Sequence, residues 1–299
     1  MTSRGHGKVI LLGEHAVVYG KPAIAGALAR GVTATAERSD RATSLTVPAW
    51  NARAEVADGS PLGEALAALV AALDRPGAFA VTAHPEIPGG AGLGASAALG
   101  VAAARAIAEC DGHPLDPESL RRAALAWETV FHGNPSGIDA EVAASGIVGI
   151  FVRGEGLHPL RLSRPIPVAI GDSGERSSTR DMVASLAREK DRNPAKVAKL
   201  LDGIESLVRN AAHAIEADDL AELGTLMNLN QTLLAAVLLS SEHIENLCAA
   251  ARAAGAYGAK LTGAGGGGSV VAVADDPDAV VAAWARAGYS GFSAALGAP

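Results

Sequence analysis

The chain has 299 residues, of which 49% are hydrophobic, 19% charged and 3% aromatic, with a formal net charge of −7. This is a globular composition, long enough for roughly two domains or one large α/β unit, and a negative balance with no basic run argues against a general nucleic-acid binder. Cys110 and Cys248 match neither a disulfide framework nor a metal spacing, the opening residues lack a signal-peptide pattern, and no stretch reaches the ~18 consecutive apolar residues of a membrane span; a cytoplasmic protein with no nucleic-acid or membrane partner is therefore expected.

Taken in chain order, Val9-Ile10-Leu11-Leu12 is an apolar run ended by Gly13 and reads as a buried strand. Val32 to Glu37 alternates and reads as another, and Pro61 to Leu73 has helical spacing. Phe79, Val81 and Ala83 alternate with Ala80, Thr82 and His84, giving a strand that leads into a glycine-rich loop. A helix is predicted from Ser96 to Cys110. Asp116-Pro117 starts the next, with Asp as N-cap and Pro in the first turn, and it runs to Phe131. Gly133-Asn134-Pro135 ends it, and a further helix starts near Ser136. Ile147 to Val152 and Val168 to Gly171 read as strands.

From Ser178 to Ala254 the chain reads as mostly helical. A strand over Ala256 to Leu261, a glycine run, a strand over Val270 to Ala274 and a helix over Asp278 to Ala287 follow. The fold class is α+β. The expected division is 1–155 and 156–299, about a soft boundary at 153–166 where Gly154, Gly156, Pro159 and Pro165 cluster.

The most informative segment is Ile87-Pro88-Gly89-Gly90-Ala91-Gly92-Leu93-Gly94-Ala95-Ser96-Ala97. A glycine-rich loop that opens a helix leaves backbone N–H groups pointing outward, with the positive end of the helix dipole behind them, which suits a phosphate. A flexible turn before a helix is the other local reading. Gly92-x-Gly94-x-x-Ala97 fits a dinucleotide fingerprint, but the second strand with its acidic end about 20 residues on is missing. Gly263 and Gly268 have the spacing of a Walker A loop, but Ser269 stands where the lysine is needed.

Two further segments carry polar groups at strand ends. Glu14 and His15 follow the buried run 9–12 on a turn, where they either line a pocket or are merely solvated. In Lys260-Leu261-Thr262-Gly263-Ala264-Gly265-Gly266-Gly267-Gly268-Ser269, five glycines fall within six residues. A simple turn does not need so many, and close approach to a ligand or to the first glycine loop explains them better.

Together these segments resemble the GHMP small-molecule kinase superfamily, whose N-terminal segment, Pro-x-x-x-Gly-Leu-Gly-Ser-Ser-Ala loop and C-terminal glycine-rich segment occur here in order. Within it, Gly13-Glu14-His15-Ala16-Val17-Val18-Tyr19-Gly20, Gly133-Asn134-Pro135-Ser136-Gly137-Ile138-Asp139 and Gly171-Asp172-Ser173-Gly174 with Ser178-Thr179 are similar to the branch that phosphorylates mevalonate. The resemblance spans residues 8–275. It implies a GHMP kinase-like fold of two lobes with the active site in the cleft between them. It also implies ATP as co-substrate, Mg²⁺, and phosphorylation of the 5-hydroxyl of (R)-mevalonate, and it leaves room for a homodimer. Kinases for phosphomevalonate or a sugar, and a catalytically silent ligand sensor, share the same outline.

The resemblance further implies residue roles. Asp139 accepts or orients the hydroxyl proton and Lys8 supports it. Gly89, Gly90, Ala91, Gly92, Leu93, Gly94, Ala95, Ser96 and Ala97 hold the ATP phosphates. Ser96 and Glu128 ligate Mg²⁺, and Glu14, His15, Thr179, Gly263 and Ala264 bind the acceptor. Read locally, Ser136-x-x-Asp139 is also a capping box, and Glu128 fits an exposed helix position. Two departures from the family pattern stand out: Ala95 replaces the first loop serine, and Gly5-His6-Gly7 precedes Lys8 where Ala-Pro-Gly is usual.

Overall fold

The computed structural model describes residues 2–56, 58–133 and 135–297. Among them the strands are β1 (Ser3–Leu12), β2 (Ala23–Ser39), β3 (Ser44–Val47), β4 (Ala52–Glu55), β5 (Ala78–Pro85), β6 (Val148–Val152), β7 (Gly156–Pro159), β8 (Ile166–Asp172), β9 (Gly258–Thr262), β10 (Ser269–Val273) and β11 (Ser290–Leu296). The helices are α1 (Pro61–Leu73), α2 (Ala95–Cys110), α3 (Pro117–His132), α4 (Ile138–Ser145), α5 (Thr179–Arg192), α6 (Pro194–Glu216), α7 (Leu220–Ala235), α8 (Glu242–Ala253) and α9 (Pro277–Arg286). Mixed strands and helices agree with the α+β expectation.

The chain forms two compact units that interleave along the sequence. Met1–Lys8, Arg30–Gly89 and Gly94–Gly146 make one; Val9–Ala29, Gly90–Leu93 and Ile147–Pro299 make the other. This differs from a single cut at 155. Composition marks a linker, but here β1 and β2 each run from one unit into the other, so strand pairing rather than a linker sets the division.

In the first unit the strand order is β4-β3-β5-β2, with β3 and β5 parallel and the other pairs antiparallel. Phe79, Val81 and Ala83 of β5 point to the core, as their alternation predicts. Helix α2 is buried almost all round through Ala97, Ala98, Leu99, Gly100, Val101, Ala102, Ala103 and Ala104. Small side chains let neighbouring elements approach closely, and Trp127 of α3 fills the space above Gly100, where an added Cβ would lie 2.8 Å from the indole. Helix α3 begins where Asp116 caps it, accepting from Ser119 N at 2.8 Å. Its buried stripe, Leu120, Ala123, Ala124, Trp127 and Glu128, keeps helical spacing.

In the second unit the strand order is β2-β11-β8-β10-β9, all antiparallel, and the β6–β7 hairpin pairs with the first half of β2. The outer side of β9 is an edge, and two side chains of α7 satisfy it: Asn228 Oδ1 accepts from Ala259 N at 3.1 Å and Gln231 Oε1 from Leu261 N at 2.9 Å. Trp284 of α9 packs on Gly171 and Gly291 and donates to Leu247 O at 2.8 Å. No helix among the described residues is long and apolar enough to cross a membrane.

Candidate active site

Lys8 lies on β1 and is buried, with its ammonium 3.1 Å from Asp139 Oδ1. Asp139 is in the first turn of α4, but it does not cap that helix. The N-cap is Gly137, at φ 91°, with no side-chain cap bond, and Ser136 Oγ accepts only a 3.4 Å bond from Ile138 N. Because the helix starts one residue later than a Ser136–Asp139 box requires, the Asp139 carboxylate is left to meet Lys8. Asn134, part of the same motif, lies outside the described residues.

Ser96 and Glu128 are also brought together. Ser96 Oγ donates to Glu128 Oε1 at 2.6 Å. Trp127, next to Glu128 on α3, donates its indole N–H to Ser96 O at 3.0 Å and so fixes the first turn of α2. Glu128 is 3% exposed, so it is not a solvated helix residue. Burial, then the nearby charge of Asp139, pushes its carboxyl up to about 7, against the opposing Ser96 hydrogen bond and Lys8 charge. A carboxylate held this far from its ordinary range is one that a cation would relieve. Among the described residues no group of three or more His, Cys, Asp or Glu side chains could hold a metal ion. A divalent ion here would have one carboxylate and one hydroxyl from the protein. That hard-oxygen set, completed by water and phosphate oxygens, fits Mg²⁺.

The first glycine loop changes hand repeatedly, with Gly90, Gly92 and Gly94 at φ 69°, 79° and 69°. Gly94 precedes α2 and is its N-cap; a Cβ there would lie 2.8 Å from Lys8 Cγ. No side chain caps the N-terminus of α2, so its first-turn N–H groups have no side-chain acceptor. The Trp50 indole packs on Gly89, where a Cβ would sit 3.6 Å away.

Glu14 and His15 follow β1 on a turn that leads into a short 3₁₀ segment, Ala16–Tyr19. Both are buried. His15 Nε2 is 2.7 Å from Ala264 O, which joins two of the residues expected to bind the acceptor. Burial pushes the His15 ring below the usual histidine range, the Ala264 bond opposes this, and the Lys260 charge adds to it. Lys260, on β9, forms a fully buried ion pair with Glu14. Gly263 approaches the first loop: a Cβ on it would lie 3.2 Å from Gly92 Cα.

The rest of the third glycine segment meets the loop after β8. Ser173 N donates to Gly268 O at 2.9 Å, Gly268 N to Glu175 O at 3.0 Å and Ser177 Oγ to Gly265 O at 2.5 Å. A Cβ at Gly265 would stand 2.1 Å from Leu239 O. Close backbone approach therefore accounts for this glycine run, and the first loop is only one of its neighbours. Thr179 opens α5 and is exposed, with Ser178 as N-cap. Sequence patterns assign no role to Trp127, Gln231 or Lys260. For Lys260 there was a signal, a lone cation inside an otherwise apolar strand.

Two family models match the chain: that of the GHMP kinases N terminal domain over residues 61–147, and that of the GHMP kinases C terminal over 211–290. A mevalonate kinase of Thermococcus sibiricus is 34% identical over 303 residues, covering 92% of this chain and 89% of its own. One of Aeropyrum pernix is 36% identical over 281 residues, with coverage of 89% and 86%. The crystal structure of L. major mevalonate kinase in complex with R-mevalonate aligns with a TM-score of 0.87 at 26% identity, covering 100% of this chain and 97% of that one.

Proposed function

The chain belongs to the GHMP kinase family, and from that membership we propose that it transfers the γ-phosphoryl group of ATP to the 5-hydroxyl of (R)-mevalonate. The acceptor is taken from the relatives named mevalonate kinase, which align over most of this chain. The observation that carries the chemistry is the 3.1 Å contact between buried Lys8 and Asp139.

In this reading Asp139 orients the acceptor hydroxyl and takes its proton as the oxygen attacks phosphorus. Lys8 places a positive charge next to the oxygen on which negative charge develops. The backbone of Gly89 to Ala97 holds the ATP phosphates: its glycines admit close approach, and the open end of α2 offers N–H donors. Ser96 Oγ and the Glu128 carboxylate would hold Mg²⁺, which when bound would supply positive charge against the phosphate oxygens. Glu14, His15, Thr179, Gly263 and Ala264 are assigned to the acceptor.

The test is ADP release measured in parallel with mevalonate, phosphomevalonate and galactose. Turnover with mevalonate well above the background ATPase, and none with galactose, is expected. Equal rates with and without mevalonate defeat the proposal, and preferential turnover of phosphomevalonate reassigns the acceptor.

A further inference from the structure

Lys260 is a buried cation that the chemistry above leaves unused. Its side chain and that of Glu14 are both 0% exposed. The ammonium donates to Glu14 Oε1 and, at 2.5 Å, to Leu261 O. A buried ion pair adds little net stability over well-packed apolar side chains, because both charges lose their water. Such a pair therefore calls for a role beyond stability.

Its surroundings suggest one. Lys260 stands on β9 between Ala259 and Leu261, whose N–H groups are held by Asn228 and Gln231 of α7. Gln231 is itself fixed, donating to Ser240 Oγ at 3.0 Å and Glu245 Oε1 at 2.8 Å. Thr262 Oγ1, two residues on, accepts from Ile10 N at 2.8 Å, at the end of β1 that leads into the Glu14 turn. That turn carries His15 at φ 61° and ψ −42°, a positive-φ conformation costly for a non-glycine residue unless neighbours enforce it.

We propose that Lys260 is the positioning residue of the acceptor pocket: its ammonium, clamped between the Glu14 carboxylate and the Leu261 carbonyl, ties the Glu14–His15 turn to β9 and so fixes where the His15 ring sits. This rests on the reading that Glu14 and His15 serve the acceptor. The carbonyl of Ala264 only accepts, so His15 Nε2 carries the ring proton in this bond. With the ring neutral, Nδ1 is a lone-pair acceptor. It suits a hydroxyl of a hydroxy-acid substrate. Among the described residues, the charge that acts on the ring is that of Lys260 from β9, whose counter-ion is Glu14 on the ring's own turn.

The experiment combines imidazole ¹⁵N NMR with kinetics. In the wild-type protein, His15 should be the neutral Nε2-protonated tautomer at pH 7, with its titration displaced below the ordinary value of about 6.5. Lys260→Met leaves the Glu14 carboxylate buried without this cation, so the double substitution Lys260→Met with Glu14→Gln guards against failure to fold. In whichever variant folds, the His15 titration should move back up. In Lys260→Met the KM for mevalonate should rise roughly tenfold, the size of one lost hydrogen bond, while the KM for ATP stays within about twofold, below the effect of any one bond; in the double substitution, where Glu14 is itself assigned to the acceptor, the His15 titration decides.

An ordinary titration or an Nδ1-protonated tautomer in the wild type overturns the proposal, whether or not the variants fold. So does a folded variant with unchanged His15 titration and unchanged mevalonate KM. Absence of mevalonate turnover in the wild type defeats the functional reading instead, and the His15 spectra still decide the role of Lys260.

Discussion

Replacing Glu128 by Gln should make the metal-free protein more stable at pH 8 while crippling phosphoryl transfer. Glutamine keeps the size of the side chain and an oxygen to accept from Ser96 Oγ, and it removes only the ionisation. In the folded protein the carboxyl is pushed from 4.5 up to about 7, so the folded state holds its proton more tightly than the unfolded state does. The penalty for ionising it is absent well below pH 4.5, grows as pH rises and is complete above pH 7. At about 1.4 kcal/mol per pH unit the gap comes to roughly 3 kcal/mol at pH 8 and to about 1 kcal/mol at pH 5. With an unfolding entropy of about 2 cal/mol/K per residue, the larger figure raises Tm by roughly 5 °C and the smaller by only one or two. Thermal unfolding of wild type and Glu128→Gln in EDTA at pH 5 and pH 8 measures both, and ADP release at graded Mg²⁺ measures the loss of kcat and the raised metal requirement. A variant no more stable than wild type at pH 8, or a difference that does not change with pH, would refute the argument that a buried carboxylate is being held for a cation.

Asp139→Asn should lower kcat by at least roughly 10²-fold, and because it leaves the buried Lys8 ammonium without its counter-ion some loss of Tm should accompany it; activity that merely tracks the folded fraction refutes the catalytic role. Combined with Lys8→Met, the loss should be far smaller than the product of the single losses, because the two side chains act as one pair. Gly94→Val should abolish ATP binding in calorimetry, since its φ of 69° suits no β-branched residue and its Cβ would displace Lys8; ATP affinity unchanged in a folded variant counts against the loop. Trp127→Ala opens a cavity over Gly100 and should cost about 3–5 kcal/mol in chemical denaturation, and it frees Ser96 O from its donor.

Features set by neighbouring residues were legible in the sequence. Asp116-Pro117 starts α3 where local capping chemistry says it should, and Ser60 with Pro61 starts α1 in the same way. Features set by distant partners were not. Residues 290–296, Ser-Gly-Phe-Ser-Ala-Ala-Leu, contain few strand formers and are a strand because β8 pairs with them along their length. The first half of β2, Ala23 to Leu28, is buried on both faces and so shows no alternation to read.

The site divides along the same line. Motif resemblance singles out Lys8, Ser96, Glu128 and Asp139, and the structure pairs Lys8 with Asp139 and Ser96 with Glu128, whereas the local pattern also offers Asp139 as part of a capping box. The burial of Glu128 could have been inferred, since it stands four residues after Ala124 on the apolar face of α3. Lys260 is marked in the sequence only as a lone cation in an apolar strand, and its counter-ion, 246 residues away, could not be inferred.

The placement of the tryptophans gives the protein its own optical reporter. Of the three, Trp50 packs on Gly89 at the start of the first glycine loop, and Trp127 bonds to Ser96 at its end. Only Trp284 lies elsewhere, sealed among glycines and Leu247 in the second unit. Intrinsic emission from this chain therefore carries a steady background from one indole and a signal from two that flank the loop. An anion settling on the loop, or a cation between Ser96 and Glu128, would alter the field at those two rings, and fluorescence would then follow it with no label attached.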